Sequence, residues 1–158
     1  MKNINAYLAG ILDGESYIGL LKHNKKRLNG DKYFVYTPRI IVSFLDKPHN
    51  LQVLNLFKNR YGGNIYNKKI YEYKSGAIRK SHNPMIVYEV RSGRVFNILK
   101  DVKEFLIIKK RQSDLILSID YNKNGRRKKL SIEEINTRQQ IMEKIKSLNG
   151  NKQNAELS

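Results

Sequence analysis

The sequence of 158 residues contains no cysteine, so disulfides and thiolate metal sites are excluded. Its three histidines, His23, His49 and His82, are scattered, which makes a zinc centre a poor fit. No apolar run is long enough to span a membrane. The opening Met1-Lys2-Asn3-Ile4-Asn5 lacks the apolar stretch of a secretory signal. Acidic side chains are the scarcest class relative to their opposites: 14 Asp and Glu stand against 31 Lys and Arg, a net charge of +17. Such an excess repels itself unless a polyanion offsets it, and nucleic acid is the leading candidate. An anionic membrane surface is second, but no basic amphipathic helix with a bulky aromatic face is present. Ribosomal-type RNA-binding proteins share this charge, so charge alone selects no mechanism.

What is present is organised around Ala6-Tyr7-Leu8-Ala9-Gly10-Ile11-Leu12-Asp13-Gly14-Glu15-Ser16. On a helix, Ile4, Leu8, Ile11 and Leu12 form an ordinary core stripe. Ala6, Ala9, Gly10 and Asp13 fall on the opposite side. Gly10 costs about 1 kcal/mol relative to Ala in a helix interior, and close approach of a second backbone is a reason to accept it. Asp13 and Glu15 then sit at the helix C-terminus, where the macrodipole is negative. Two carboxylates there suit a bound hard cation, with the Gly14 carbonyl and water completing an oxygen ligand set. The plainer alternative is a C-capping glycine between two solvated acids.

Periodicity supplies the rest of the fold. Asn3 caps the first helix, which runs to about Asp13. Strands follow at 17–22 and 33–44, with Ile40, Val42 and Phe44 inward and Thr37, Arg39, Ile41 and Ser43 outward. Pro38 predicts a bulge or an edge. A second helix begins at Lys47-Pro48, carries Leu51, Val53, Leu54 and Phe57 inward, and ends at Gly62-Gly63. Two more strands are expected at 64–74 and 85–91. Ser92 caps a third helix bearing Val95, Phe96, Leu99 and Val102. Phe105-Leu106-Ile107-Ile108 reads as a short buried run. A helix from about Lys110 to Tyr121 has Leu115, Ile116 and Ile119 inward. Ser131 and Glu134 form a capping box for a last helix to about Leu148. The expectation is one α+β domain over 1–148, with an α-β-β-α-β-β-α core, a four-stranded antiparallel sheet with one free face, C-terminal helices and a polar tail at 149–158.

Leu8-Ala9-Gly10-Ile11-Leu12-Asp13-Gly14-Glu15-Ser16 resembles the signature of the LAGLIDADG homing endonucleases, and the element order is similar to that family's core over nearly the whole chain. Ile for Leu, Leu for Ile, Gly for Ala and Glu for Asp count as allowed variants; Ser16 departs from the usual second glycine. The resemblance implies site-specific cleavage of double-stranded DNA with magnesium. Manganese would substitute, and calcium would support binding without cleavage. One motif per chain implies a homodimer on a long, near-palindromic site, with Ala6, Ala9, Gly10 and Asp13 at the two-fold axis.

The same resemblance gives site residues. Glu15 would be the metal ligand, assisted by the Gly14 carbonyl, and Asp13 mainly structural. Asp46, just after the second strand, falls near the family's water network; it also suits an N-cap for helix two. Lys109 matches the lysine directed at the scissile phosphate or its water, and Arg111 a phosphate or structural contact. The DNA surface would be the free sheet face: Arg39, Ile41 and Ser43, with Asn67, Lys69 and Tyr71 from the third strand. Basic loops at 25–27, 79–80 and 126–129, Lys128 among them, would meet phosphates. The alternative reading keeps the fold without cleavage: a maturase acting on intron RNA, or a DNA-binding regulator. The expected setting is intracellular, in the cytoplasm of an archaeon or bacterium or in a mitochondrion or chloroplast, with an intron origin favoured.

Overall fold

The structure, a computed structural model, describes residues 2–26, 30, 32–68, 84–120 and 130–150. Helix α1 (Lys2–Glu15) leads directly into strand β1 (Ser16–Lys26), then β2 (Lys32–Leu45), helix α2 (Pro48–Tyr61), β3 (Asn64–Asn67), β4 (Met85–Arg91), α3 (Gly93–Val102), α4 (Lys110–Leu117) and α5 (Ile132–Gly150). The strands form one antiparallel sheet in the order β1-β2-β4-β3. This is the α+β arrangement that the hydrophobic periods predict.

Register fixes the two faces. Ile18 pairs with Ile40 and Ile40 with Val90, while Val42 pairs with Tyr88 and Tyr88 with Ile65. These side chains meet Leu8 and Leu12 of α1, Leu54 and Phe57 of α2, Ile98 and Leu99 of α3, Ile116 of α4 and Ile145 of α5 in one core. All helices therefore cover the same side. The other side carries Tyr17, Gly19, Arg39, Ile41, Ser43, Glu89, Arg91, Asn64 and Tyr66.

Several local expectations need correction. Helix α1 already includes Asn3, which is therefore no N-cap. Pro38 makes no bulge, pairing with Leu20 in unbroken register, but it lies just past the last β2–β4 pair, Arg39 with Arg91, at the edge that is the other half of the expectation. Its carbonyl accepts from the Ser92 N–H at 3.0 Å. The missing proline N–H faces that open end, so no ladder bond is lost. Ser92 precedes α3 with φ 65° and ψ −141° and makes no side-chain cap. Leu51 is exposed on α2. Helix α4 stops at Leu117 rather than Tyr121. Helix α5 runs past Leu148, and Asn149, assigned to the tail, donates from Nδ2 to the Ile18 carbonyl at 2.9 Å. The capping box forms as expected: the Glu134 N–H donates to Ser131 Oγ at 3.1 Å, and the Ser131 N–H to Glu134 Oε2 at 2.9 Å.

Candidate active site and nucleic-acid interface

The acidic end of α1 is built by two side-chain contacts. The Ser16 hydroxyl donates to the Leu12 carbonyl at 2.5 Å. Leu12 is one of the last four carbonyls of the helix, which lack intrahelical partners, so the serine that departs from the signature satisfies a group at the helix end. Asp13 reaches across the fold. Its Oδ2 accepts from the Ile107 N–H and its Oδ1 from the Lys109 N–H, both at 2.8 Å. One carboxylate thus pins the segment between α3 and α4 to the signature helix.

That pinning, rather than burial of the apolar run before it, positions Lys109. The run 105–108 is not buried. Leu106 is, but Ile107 is 85% and Ile108 67% exposed. Lys109 is held instead by its backbone: its N–H meets Asp13, and its carbonyl accepts from the Ser113 N–H at 3.0 Å as α4 begins. Its side chain is half-buried. Glu15 and Gly14 are exposed on the same helix end, and a Cβ at Gly14 would meet nothing within 4 Å. Glu15 lies one residue before the Ser16–Val42 pair and Asp46 four beyond it, so both extend from the same end of the sheet. Asp46 is exposed and does not cap α2: Lys47 holds the cap position, and the Asp46 N–H donates to the Pro84 carbonyl at 2.8 Å. Arg111 is exposed on α4.

The expected dimer face divides. Ala6 and Gly10 are exposed, Tyr7 between them is 46% exposed, and Asp13 is half-buried. Ala9 is 0% exposed and belongs to the protomer's own core. Buried beside Leu8 and Leu12 in the core cluster, it presents no surface to a partner, so Ala9 is removed from the interface.

On the free sheet face, Arg39, Ile41 and Ser43 lie out of phase with the core, as expected. The phase of β3 is the reverse of the expectation. Asn67 pairs with Ile86 and shares the side of Ile65, which packs on the core; Asn64 and Tyr66 take the free side. Lys69, Tyr71 and Lys128 lie outside the described residues, as do residues 27, 79–80 and 126–129 of the basic loops.

Sequence reading missed the centre of this face. Glu89 Oε1 accepts from Arg91 Nε at 2.7 Å and lies 3.6 Å from Arg39 Nη1, while Oε2 accepts from the Tyr66 hydroxyl at 3.1 Å. The Glu89 side chain is only 12% exposed. Burial raises its carboxyl, but the Arg91 hydrogen bond and charge, the Tyr66 hydroxyl and the Arg39 charge outweigh it and hold it below the usual value. No local pattern announces such a cluster, because its members come from three strands.

Among the described residues, no helix is long and apolar enough to cross a membrane, and no three His, Asp or Glu side chains group as a metal cage. Neither a family model nor a curated protein matches the sequence. Solved structures do. The chain is similar to the homing endonuclease I-CvuI in complex with the I-CreI target, in which magnesium was present and the DNA was not cleaved: TM-score 0.67, 18% identity, covering 97% of this chain and 87% of that one. It is similar to I-Vdi141I, an archaeal intron-encoded homing endonuclease complexed with DNA, with TM-score 0.63 and 19% identity over 99% and 89%. The LAGLIDADG meganuclease I-CpaMI, bound to uncleaved DNA, gives TM-score 0.56 and 19% identity over 83% of this chain and 40% of that one. At these identities the likeness is one of architecture, and it agrees with the signature on α1: the chain has the fold of the LAGLIDADG homing endonucleases.

Proposed function

We propose that the chain is one subunit of a homodimeric, metal-dependent DNA endonuclease of the homing type, cutting both strands of a long, near-palindromic site. The observation that carries this reading is the Asp13 clamp, which links the Glu15 helix end to the segment bearing Lys109. A structural or purely RNA-binding protein has no use for an exposed acid on a negative helix terminus.

The donor set fits magnesium. Glu15 and the Gly14 carbonyl are hard oxygen ligands, and magnesium is commonly held by one or two carboxylates with substrate phosphate and water. A second Glu15 from the partner would complete the set that one chain lacks. Magnesium, when bound, supplies Lewis acidity at the phosphate and lowers the pKa of water. Lys109 carries a charge that offsets the developing negative charge of the phosphate or orients the attacking water. Asp46, at the same sheet end, accepts hydrogen bonds from that water. Arg39, Ile41 and Ser43 face the major groove. The exposed Ala6, Tyr7 and Gly10 of α1, together with the exposed Ile107 and Ile108 on the segment that Asp13 holds, supply a self-complementary apolar surface for the two-fold.

The test is Glu15→Gln on a mapped duplex target. It should abolish cleavage in magnesium or manganese while specific binding is kept, and improved where no metal is bound, because there the repulsion between paired carboxylates and phosphates disappears. Cleavage near the wild-type rate would refute Glu15 as the metal ligand. If the wild type binds but never cuts, the regulator or maturase reading takes its place.

A further inference from the structure

The free face holds a chain of contacts that crosses all four strands. A Cβ on Gly19 of β1 would run into the Tyr17 ring, so glycine leaves the space in which that ring lies against the sheet. The Arg39 guanidinium of β2 stands 5.6 Å from the centre of that ring, within cation–π range. On its other side is Glu89 of β4, which also holds Arg91 of the same strand and the Tyr66 hydroxyl of β3. Arg39 and Arg91 are themselves cross-strand partners.

This arrangement is costly unless it does something. Both Glu89 oxygens are taken by the protein's own donors, so the acid does not read a base itself. It lowers the net charge of a surface whose partner is a polyanion. In exchange it fixes two arginines that would otherwise sample many rotamers. Arg91 uses only Nε on Glu89 and remains half exposed. That leaves its two terminal nitrogens, the edge that contacts guanine O6 and N7 side by side. Arg39 has Nη1 toward Glu89 and its Nε buried without a partner. Glu89 and Arg91, with Asn64, Arg94 and Asn97, line an open polar cleft. A loose phosphate contact needs none of this, since phosphates accept a charge from any direction. A base edge accepts only a donor held in plane.

We infer that Arg39 and Arg91 read guanines in the major groove of each half-site, and that Glu89 is the positioning residue that gives them their geometry. This rests on the DNA-binding reading above and deepens it: the target carries guanine opposite the centre of the sheet, on both sides of its two-fold.

The experiment is selection from a duplex pool randomised over the binding site, with wild-type protein in calcium, followed by the same selection with Arg39→Ala, Arg91→Ala and Glu89→Gln. The wild type should prefer guanine at two positions in each half-site, repeated by the two-fold, by about 10-fold or more over any other base. Arg39→Ala and Arg91→Ala should each erase the preference at one such position and leave the rest of the site intact. Glu89→Gln, nearly isosteric, should relax those same positions while the salt dependence of binding stays unchanged, because no phosphate contact is removed. Replacing the selected guanine with 7-deazaguanine should weaken the wild type and leave the corresponding arginine variant unaffected. If no sequence is enriched by the wild type, the DNA-binding reading itself falls, and this inference with it. If a site is enriched and the variants keep its guanine profile, binding stands and the inference is overturned. A uniform loss of affinity at every position in the arginine variants would overturn it too, marking them as phosphate contacts.

Discussion

Asp13→Asn is a small change with two separable consequences. The carboxylate accepts two backbone N–H groups, from Ile107 and Lys109, at 2.8 Å each. Asparagine has one oxygen, so one N–H faces an amide NH₂ and loses its partner. A hydrogen bond to a charged group contributes about 1.5–3 kcal/mol when well shielded. One of these is exposed and the other partly buried, so solvent screening reduces the total, and a loss of roughly 1–2 kcal/mol is expected. For a chain of this size that lowers Tm by about 2–8 °C. The second consequence is positional. Lys109 is placed by its backbone, and a displacement near 1 Å at a catalytic group can cost about 10²-fold in rate. Cleavage in magnesium should therefore fall about 100-fold while binding in calcium stays close to wild type. Lys109→Met should slow cleavage strongly on its own without removing metal binding. The double variant should be no slower than Lys109→Met alone, because Asp13 acts through Lys109. Wild-type cleavage by Asp13→Asn, or losses that multiply as for independent sites, would refute the clamp.

Other outcomes follow from the same geometry. If a dimer contacts roughly 6–10 phosphates, affinity for DNA should drop about 10³–10⁵-fold between 50 and 200 mM salt, and a flat titration would remove the basic surface from the interface. The protein should sediment as a dimer at micromolar concentration without DNA. Gly10→Leu should yield folded monomer, because a Cβ there meets nothing within 4 Å in its own protomer, while overpacking a close helix pair costs about 1–3 kcal/mol; a dimeric variant or a monomeric wild type would count against the two-fold. The Glu89 carboxyl lies below its ordinary 4.5. Its contribution is therefore complete above that value and lost as pH falls through the lowered one. Glu89→Gln should flatten the decline of stability on acidification in that range, and identical acid-unfolding curves would show that the ion pairs contribute nothing.

The elements were legible in the sequence, because periods of 3.6 and 2 depend on local order alone. So was the signature, and so were the Ser131–Glu134 box and the Gly62 helix end. What failed has a common physical origin. Ala9 is small enough for either a core or a helix–helix contact, and only its complete burial within its own protomer decides. Ile107 and Ile108 were read as buried because apolar side chains seek cover, but apolarity does not say whether the same protomer supplies it. The phase of β3 could not be read from Asn64-Ile65-Tyr66-Asn67, where polar residues occupy both sides; the pairing of Asn67 with Ile86 fixes it.

Glu89 shows the limit most clearly. In sequence it is a lone acid in an apolar strand, which reads as an ordinary outward position. Its meaning lies in Arg39 and Tyr66, on other strands, and becomes visible only once the register aligns them. Asp13 is similar: its role is set by amides 94 and 96 residues away. The signature motif states that an acid belongs at the helix end, but the chemistry proposed for that acid depends on where the rest of the chain returns. A sequence motif of this kind is therefore best read as half of a contact, with the other half supplied by residues that carry no motif at all.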